Sequence, residues 1–185
     1  MQIRNNVQSY GAISIGLHWV MALLILGLIA LGAYMVEMDY YNPWYQKAPD
    51  LHRSLGVTTG LLSIIRLAWR LANPLPAILG RKWERQVAVW VHRTFYLLLA
   101  AVVISGYLIT TATGQGVSVF GWFELPAMVY GLEQQEEIAG NLHRILAYGV
   151  LGLTVLHSLA ALKHHFIDRD ATLMRMLRVE RKPPP

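Results

Sequence analysis

Four long runs of apolar residues, separated by shorter polar segments, dominate the pattern of the chain. They cover about residues 13–36, 51–71, 91–111 and 142–166. Each run is long enough to cross the ~30 Å hydrocarbon core of a bilayer as an α-helix. Such continuous runs differ from the alternating pattern of a membrane β-barrel. The pattern predicts an all-α protein: a transmembrane four-helix bundle in one domain, residues 1–185, with residues 167–185 as a tail.

Composition agrees with a membrane protein and narrows its chemistry. Hydrophobic residues make up 55% of the 185 positions and charged residues 15%, against ~45–50% and ~25% in soluble domains. The first apolar run is long and contains a histidine, so we expect it to be a retained span rather than a cleaved signal. The chain has no cysteine, which excludes disulfides, cysteine-ligated metal sites and covalently attached c-type haem.

The connections between the runs differ sharply in basic residues. Lysine and arginine are concentrated in the middle connection with its flanks and in the tail: Arg70, Arg81, Lys82, Arg85, Arg93, Lys163, Arg169, Arg175, Arg178, Arg181 and Lys182. The other two connections are acidic, and Lys47 is their one basic residue. Because short loops rich in lysine and arginine stay inside, both termini and the middle connection are predicted to be cytoplasmic. The net charge of +5 thus indicates topology, and no nucleic-acid partner is expected.

The histidines are placed near the ends of these runs. His143 and His157 are fourteen residues apart on the fourth run, nearly four helical turns, so both point the same way. Imidazole is a ligand of haem iron, and facing helices can hold a cofactor between them. The predicted topology pairs His18 with His157 towards the cytoplasm, and His52 with His143 towards the outside. His92 lies at the level of His18, and spacing leaves open which of the two would bind iron.

Three arginines lie near these candidate ligands. Arg53 and Arg144 directly follow His52 and His143, and a guanidinium binds a carboxylate such as a haem propionate through two hydrogen bonds. They are predicted either to hold propionates or to extend to lipid headgroups. Arg66 lies within the second run, where an ionisable residue suggests function. It would pair with propionates of the inner haem or line a quinone site.

Two glycines follow the histidine pattern. Gly32 and Gly106 lie fourteen residues after His18 and His92, on similar faces of the first and third runs. A missing side chain would let a porphyrin approach the backbone. The alternative is that these glycines only permit close packing of membrane helices.

Several short stretches, taken together, resemble the bacterial cytochrome b561 family, which is related to the cytochrome b subunits of nickel–iron hydrogenases. They are residues 16–19, 44–56, 118–121, 155–157 and 163–166. The resemblance implies a four-helix protein of the bacterial inner membrane that binds two haem b groups. It also implies His18 and His157 as ligands of the inner haem, favouring His18 over His92, and His52 and His143 as ligands of the outer haem.

The same resemblance implies an activity. A characterised member is similar to a superoxide oxidase, which passes electrons from superoxide outside the membrane to ubiquinone. By this resemblance, His164 with Arg81 or Lys82 would contact the quinone, either ubiquinone or menaquinone. The chain is therefore predicted to be an electron carrier or an oxidoreductase that connects a periplasmic donor to the quinone pool.

Two other functions use the same residues. The chain could be a membrane anchor and electron relay for a periplasmic redox partner. It could also be a metal-ion transporter that uses the histidines as ligands. The transporter is the weaker alternative because the runs lack the midplane carboxylates and broken helices that transporters favour.

Overall fold

The structure, a computed structural model, describes residues 2–179, so Arg181 and Lys182 of the predicted basic tail lie outside it. Each apolar run lies within one long helix. The helices are α1 (Ala12–Val36), α2 (Lys47–Leu71), α3 (Lys82–Thr111) and α4 (Gln135–Phe166), followed by the single turn α5 (Met174–Leu177). Two short strands, β1 (Val117–Val119) and β2 (Phe123–Leu125), lie between α3 and α4.

The surfaces of three helices are suited to lipid. Within residues 2–179, α1, α3 and α4 are long and apolar enough to cross a membrane. Large apolar side chains point outward from them: Leu23, Leu97 and Ile145 are 65–71% exposed. Several of the fully buried side chains are instead small and polar, including Ser105 and Thr111. Because lipid does not drive apolar residues inward, small and hydroxyl-bearing residues are expected between membrane helices.

Helix α2 is as long as α1 but differs in character. It has 25 residues and carries the charged side chains of Lys47, Asp50, Arg53, Arg66 and Arg70. Its hydroxyl side chains donate hydrogen bonds to carbonyl groups one turn earlier, as Ser54 does to Asp50 and Thr58 does to Ser54. Such bonds satisfy polar side chains within the helix itself.

The described residues form two compact units, and each long helix contributes a segment to both. One unit contains the described residues up to Ala22, Leu62–Tyr96 and those from Gly152 onward; the other contains Leu23–Leu61 and Leu97–Leu151. His18, His92 and His157 belong to the first unit, and His52 and His143 to the second. The histidines therefore separate into two local sites.

The all-α prediction missed the hairpin formed by β1 and β2. The strands pair antiparallel, with Val119 opposite Phe123. The amide of Trp122 donates to the carbonyl of Val119, and both residues between them, Phe120 and Gly121, have positive φ angles of 52° and 72°. This is the geometry of a type I′ turn. The amide of Phe120 also donates to the Ser54 hydroxyl at 2.9 Å, which fixes the hairpin to α2.

Candidate functional site

One histidine pair lies in the second unit. The imidazoles of His52 on α2 and His143 on α4 are half-buried, with ring centroids 6.1 Å apart and planes inclined by 71°. A bond from an imidazole nitrogen to a metal is about 2 Å long. The two ring centroids are therefore at about the separation expected of two imidazoles that bind one metal atom.

Hydrogen bonds determine which nitrogen of His143 is available. Its Nδ1 lies 3.0 Å from the carbonyl oxygen of Val102 and 3.2 Å from the hydroxyl of Ser105. Because a carbonyl only accepts, Nδ1 carries the proton and Nε2 keeps its lone pair. This arrangement is typical of metal-binding histidines, whose second nitrogen is held by a carbonyl or carboxylate.

The other imidazole of the pair has an unsatisfied nitrogen. Nδ1 of His52 is buried and has no hydrogen-bond partner among the described residues. A buried polar atom without a partner is unfavourable. A buried nitrogen without a partner is expected at a site that binds a further group, such as a cofactor. The His52–His143 pair thus fits a cofactor that two imidazoles can hold.

The two glycines that follow the histidine pattern lie against this pair. A Cβ at Gly32 would be 3.3 Å from Cε1 of His52, and a Cβ at Gly106 would be 3.1 Å from Cε1 of His143. Such contacts are tighter than most real Cβ contacts. The two glycines therefore leave room for the imidazole rings. From the sequence, they were expected to leave room for a porphyrin instead.

Three imidazoles meet in the first unit. The ring centroid of His157 is 6.2 Å from that of His18 and 5.6 Å from that of His92. Phe95 also lies against His157, at 5.6 Å between centroids. The structure thus brings together His18 and His157, as predicted from topology, and it brings His92 just as close.

Arg66 belongs to the same cluster. Its guanidinium donates a hydrogen bond to Nδ1 of His18 at 3.1 Å and lies 6.0 Å from the ring centroid of Tyr96. Arginine is only a donor, so Nδ1 of His18 is unprotonated in this arrangement. A neutral imidazole then has its proton on Nε2. For His18 to bind a metal through Nε2, Arg66 must turn away from Nδ1.

Arg53 and Arg144 make local contacts. Arg53 forms an ion pair with Asp50, one turn earlier on α2. Arg144 donates to the side-chain oxygen of Asn141 at 3.1 Å. Each of these arginines directly follows a candidate ligand, His52 or His143, and contacts a residue one turn earlier on its own helix.

The predicted quinone contacts lie near the end of α4 and the start of α3. A Cβ at Gly80 would lie 3.0 Å from Cε1 of His164, so the segment that leads to Arg81 and Lys82 is adjacent to His164. The side chains of Arg81 and Lys82 themselves are exposed. Sequence reasoning missed the acidic residues around His164: Glu84, Asp168 and Asp170.

Comparison with known proteins identifies the family. A sequence model of prokaryotic cytochrome b561 matches residues 9–178, nearly the whole chain. The chain belongs to the prokaryotic cytochrome b561 family. This confirms the resemblance predicted from the sequence. Cytochromes b561 are helical membrane proteins that bind haem b and transfer electrons, which agrees with the imidazole pairs and the lipid-suited helices described above.

Two relatives of the chain are similar over almost their full lengths. Cytochrome b561 homolog 2 of Escherichia coli K12 is 46% identical over 179 residues, covering 96% of this chain and 95% of the relative. A Yersinia pestis protein named "Probable superoxide oxidase CybB" is 30% identical over 181 residues, covering 92% and 96%.

Proposed function

We propose that this cytochrome b561 binds two haem b groups and carries electrons across the bacterial inner membrane, from a periplasmic donor to the quinone pool. The observation that carries the proposal is the occurrence of a separate imidazole pair in each compact unit, His52 with His143 and His18 with His157. Haem held by the imidazoles of each pair would supply reversible one-electron chemistry.

The orientation follows from the distribution of basic residues. With four membrane-spanning helices and both termini in the cytoplasm, His52 and His143 hold the outer haem, and His18 and His157 hold the inner haem. The tail and the segment around Arg81 then face the cytoplasm. The hairpin faces the periplasm, where the donor arrives.

His18 is proposed as the inner ligand in preference to His92 because the family resemblance places it there. Mutation of each histidine distinguishes these two candidate ligands. We expect His18→Leu to lose one haem and His92→Leu to retain both, as measured by the absorbance of the pyridine haemochrome. The reverse result would assign the inner haem to His92 and His157.

The arginines are proposed to hold the propionates. Arg53 and Arg144 would bind those of the outer haem, each by exchanging its present partner for a stronger bidentate carboxylate contact. Arg66 would leave Nδ1 of His18 for an inner propionate, or line the quinone site. If Arg66→Leu left both haem content and quinone reduction unchanged, neither role could stand.

Superoxide is proposed as the donor because a relative bears the name of a superoxide oxidase. The net reaction is balanced: two superoxide anions release two electrons and become oxygen, while a quinone takes up two electrons and two protons to become quinol. Arg53 on α2 and Arg144 on α4 supply positive charge beside the outer ligands, next to connections that carry mainly acidic residues. The quinone, ubiquinone or menaquinone, would be held by His164 with Arg81 or Lys82.

Stopped-flow spectroscopy tests this function directly. Purified protein in lipid discs is mixed with superoxide, with and without a short-chain ubiquinone. We expect rapid reduction of the haem, followed by reoxidation only when quinone is present. Reduction by superoxide without transfer to quinone would instead indicate an electron relay for another protein. No reduction at all would reject superoxide as the donor.

A further inference from the structure

The end of α4 carries a network of charged side chains, none of which belongs to a proposed haem ligand. Lys163 donates from Nζ to a carboxylate oxygen of Glu84 on α3 and to one of Asp168 in the segment after α4. Glu84 also accepts a hydrogen bond from the backbone amide of Arg81, which caps the start of α3. The Glu84 side chain is only 9% exposed. Lys163 therefore links the start of α3, the end of α4 and the following segment.

Within this network His164 forms a pair with Asp170. Nδ1 of His164 lies 2.7 Å from Oδ2 of Asp170 and 3.1 Å from Oδ2 of Asp168. Because ionised carboxylates only accept hydrogen bonds, Nδ1 carries a proton and Nε2 is the nitrogen left for another group. The His164 side chain is 14% exposed. This is the arrangement in which a carboxylate orients an imidazole for proton transfer.

Asp170 is held as a carboxylate. Its other oxygen, Oδ1, accepts the backbone amide of Thr172 at 2.8 Å. Partial burial opposes ionisation, but the hydrogen bonds from Thr172 and His164 outweigh it and lower the pKa of Asp170 below its usual range. An ionised Asp170 stabilises a positive charge on the neighbouring imidazole.

A bound metal ion is a poorer explanation of the cluster. Ligand atoms of Glu84, His164 and Asp168 do lie within 4.8 Å of one another. However, the ammonium group of Lys163 already contacts both carboxylates. Lys163 therefore occupies the position between the two carboxylates that a cation would take.

We propose that His164 and Asp170 form the proton-transfer pair of the quinone site, with His164 donating from Nε2 and Asp170 acting as its positioning residue. This inference rests on the proposed function. The protonated imidazole gives its Nε2 proton to a quinone oxygen while the Nδ1 proton stays hydrogen-bonded to Asp170. The imidazole then takes a new proton from cytoplasmic water. Two such transfers, with two electrons from the reduced cytochrome, convert one quinone to quinol.

The pH dependence of this step is set by the groups around the imidazole. They are Glu84 from α3, Lys163 from the same helix, and Asp168 and Asp170 from the following segment. Lys163 contacts both Glu84 and Asp168. Asp170 has no such contact with Lys163 and is the carboxylate nearest to Nδ1 of His164, at 2.7 Å against 3.1 Å for Asp168, so its charge acts most directly on the imidazole. Removing its charge should make the protonated imidazole less favourable without disturbing the Lys163 bridge.

The test mixes the chemically reduced holoprotein with short-chain ubiquinone between about pH 6 and pH 9 and follows loss of the reduced haem band. In the wild type the rate should fall as pH rises, because quinone reduction takes up protons at this site. In Asp170→Asn we expect a rate at pH 7 that is at least ~10-fold lower, with the fall beginning at lower pH. Asp170→Glu should restore most of the rate.

Asp39→Asn is the matched control. Asp39 also accepts a backbone amide two residues later, that of Tyr41, but it lies in the connection between α1 and α2. If Asp170→Asn has the same rate and pH profile as the wild type and this control, His164 and Asp170 do not act as a proton-transfer pair, while the proposed function stands. If the reduced wild-type protein fails to react with quinone, the proposed function itself fails.

A second measurement needs no variant. In ¹⁵N-histidine-labelled wild type, His164 should show the neutral tautomer protonated at Nδ1, as imposed by Asp170. The other tautomer would contradict the pair even if every substitution at Asp170 prevented folding.

Discussion

At the scale of single residues, the positions of the haem-ligand candidates could be predicted, but their immediate surroundings could not. The fourteen-residue interval between His143 and His157 is a property of helix geometry, so sequence alone placed both on one face. The contact between Arg66 and His18 depends on how two helices pack. The network at His164 depends on a turn in which Arg169 has a φ of 54°, and no spacing rule indicates that Asp168 and Asp170 fold back onto it.

The glycines beside the imidazoles provide a residue-scale prediction. Gly32→Ala and Gly106→Ala should each displace the neighbouring imidazole and weaken binding of the outer haem by roughly 10-fold, the lower end of the range for losing contacts that orient a ligand. Haem content and the reduced absorption spectrum measure the effect.

Gly27→Ala is the control on the same helix as Gly32. A Cβ at Gly27 meets nothing within 4 Å, so this variant should keep its haem and gain a little helix stability. Equal haem content in all three variants would show that the glycines are not needed for the imidazoles.

At the scale of secondary structure, hydropathy located the helices, because apolar length is what a membrane span requires. The hairpin was missed for a physical reason. Its strands have three residues each, and its turn places Phe120 in a left-handed conformation that sequence preferences disfavour. It packs through Val117 and Val119, which are buried, and through a hydrogen bond to Ser54, which is distant in sequence.

The hairpin gives an element-scale prediction. Ser54→Ala removes the acceptor for the Phe120 amide, at a cost of about 1 kcal/mol for a lost hydrogen bond. Hydrogen exchange at Phe120 should therefore become several-fold faster. Ser118→Ala, on the exposed face of β1, should leave this exchange unchanged. Unaltered exchange in Ser54→Ala would mean that other contacts fix the hairpin.

Helix α4 gives a second prediction at this scale, because it carries one proposed ligand of each haem. His143→Leu and His157→Leu should each lose one haem and retain the other, and the remaining reduced spectra should differ between the two variants. Loss of both haems from either folded variant would contradict two independent sites.

At the scale of the whole molecule, the chain is a family member whose orientation was predicted from lysine and arginine alone. Because the chain has no cysteine, single cysteines report topology without background. A membrane-impermeant maleimide should label Ser118→Cys from the periplasmic side and Arg85→Cys only after the inner membrane is opened. The opposite labelling would reverse the membrane orientation and exchange the outer and inner sites.

The proposed transfer of electrons across the membrane requires that one chain hold two haem b groups. The most direct measurement is the ratio of haem to protein in the purified wild type, with haem measured as the pyridine haemochrome and protein by amino-acid analysis. Two non-covalently bound haem b groups per chain are expected. A reproducible ratio of one after haem supplementation, or a protein without haem, would contradict this expectation.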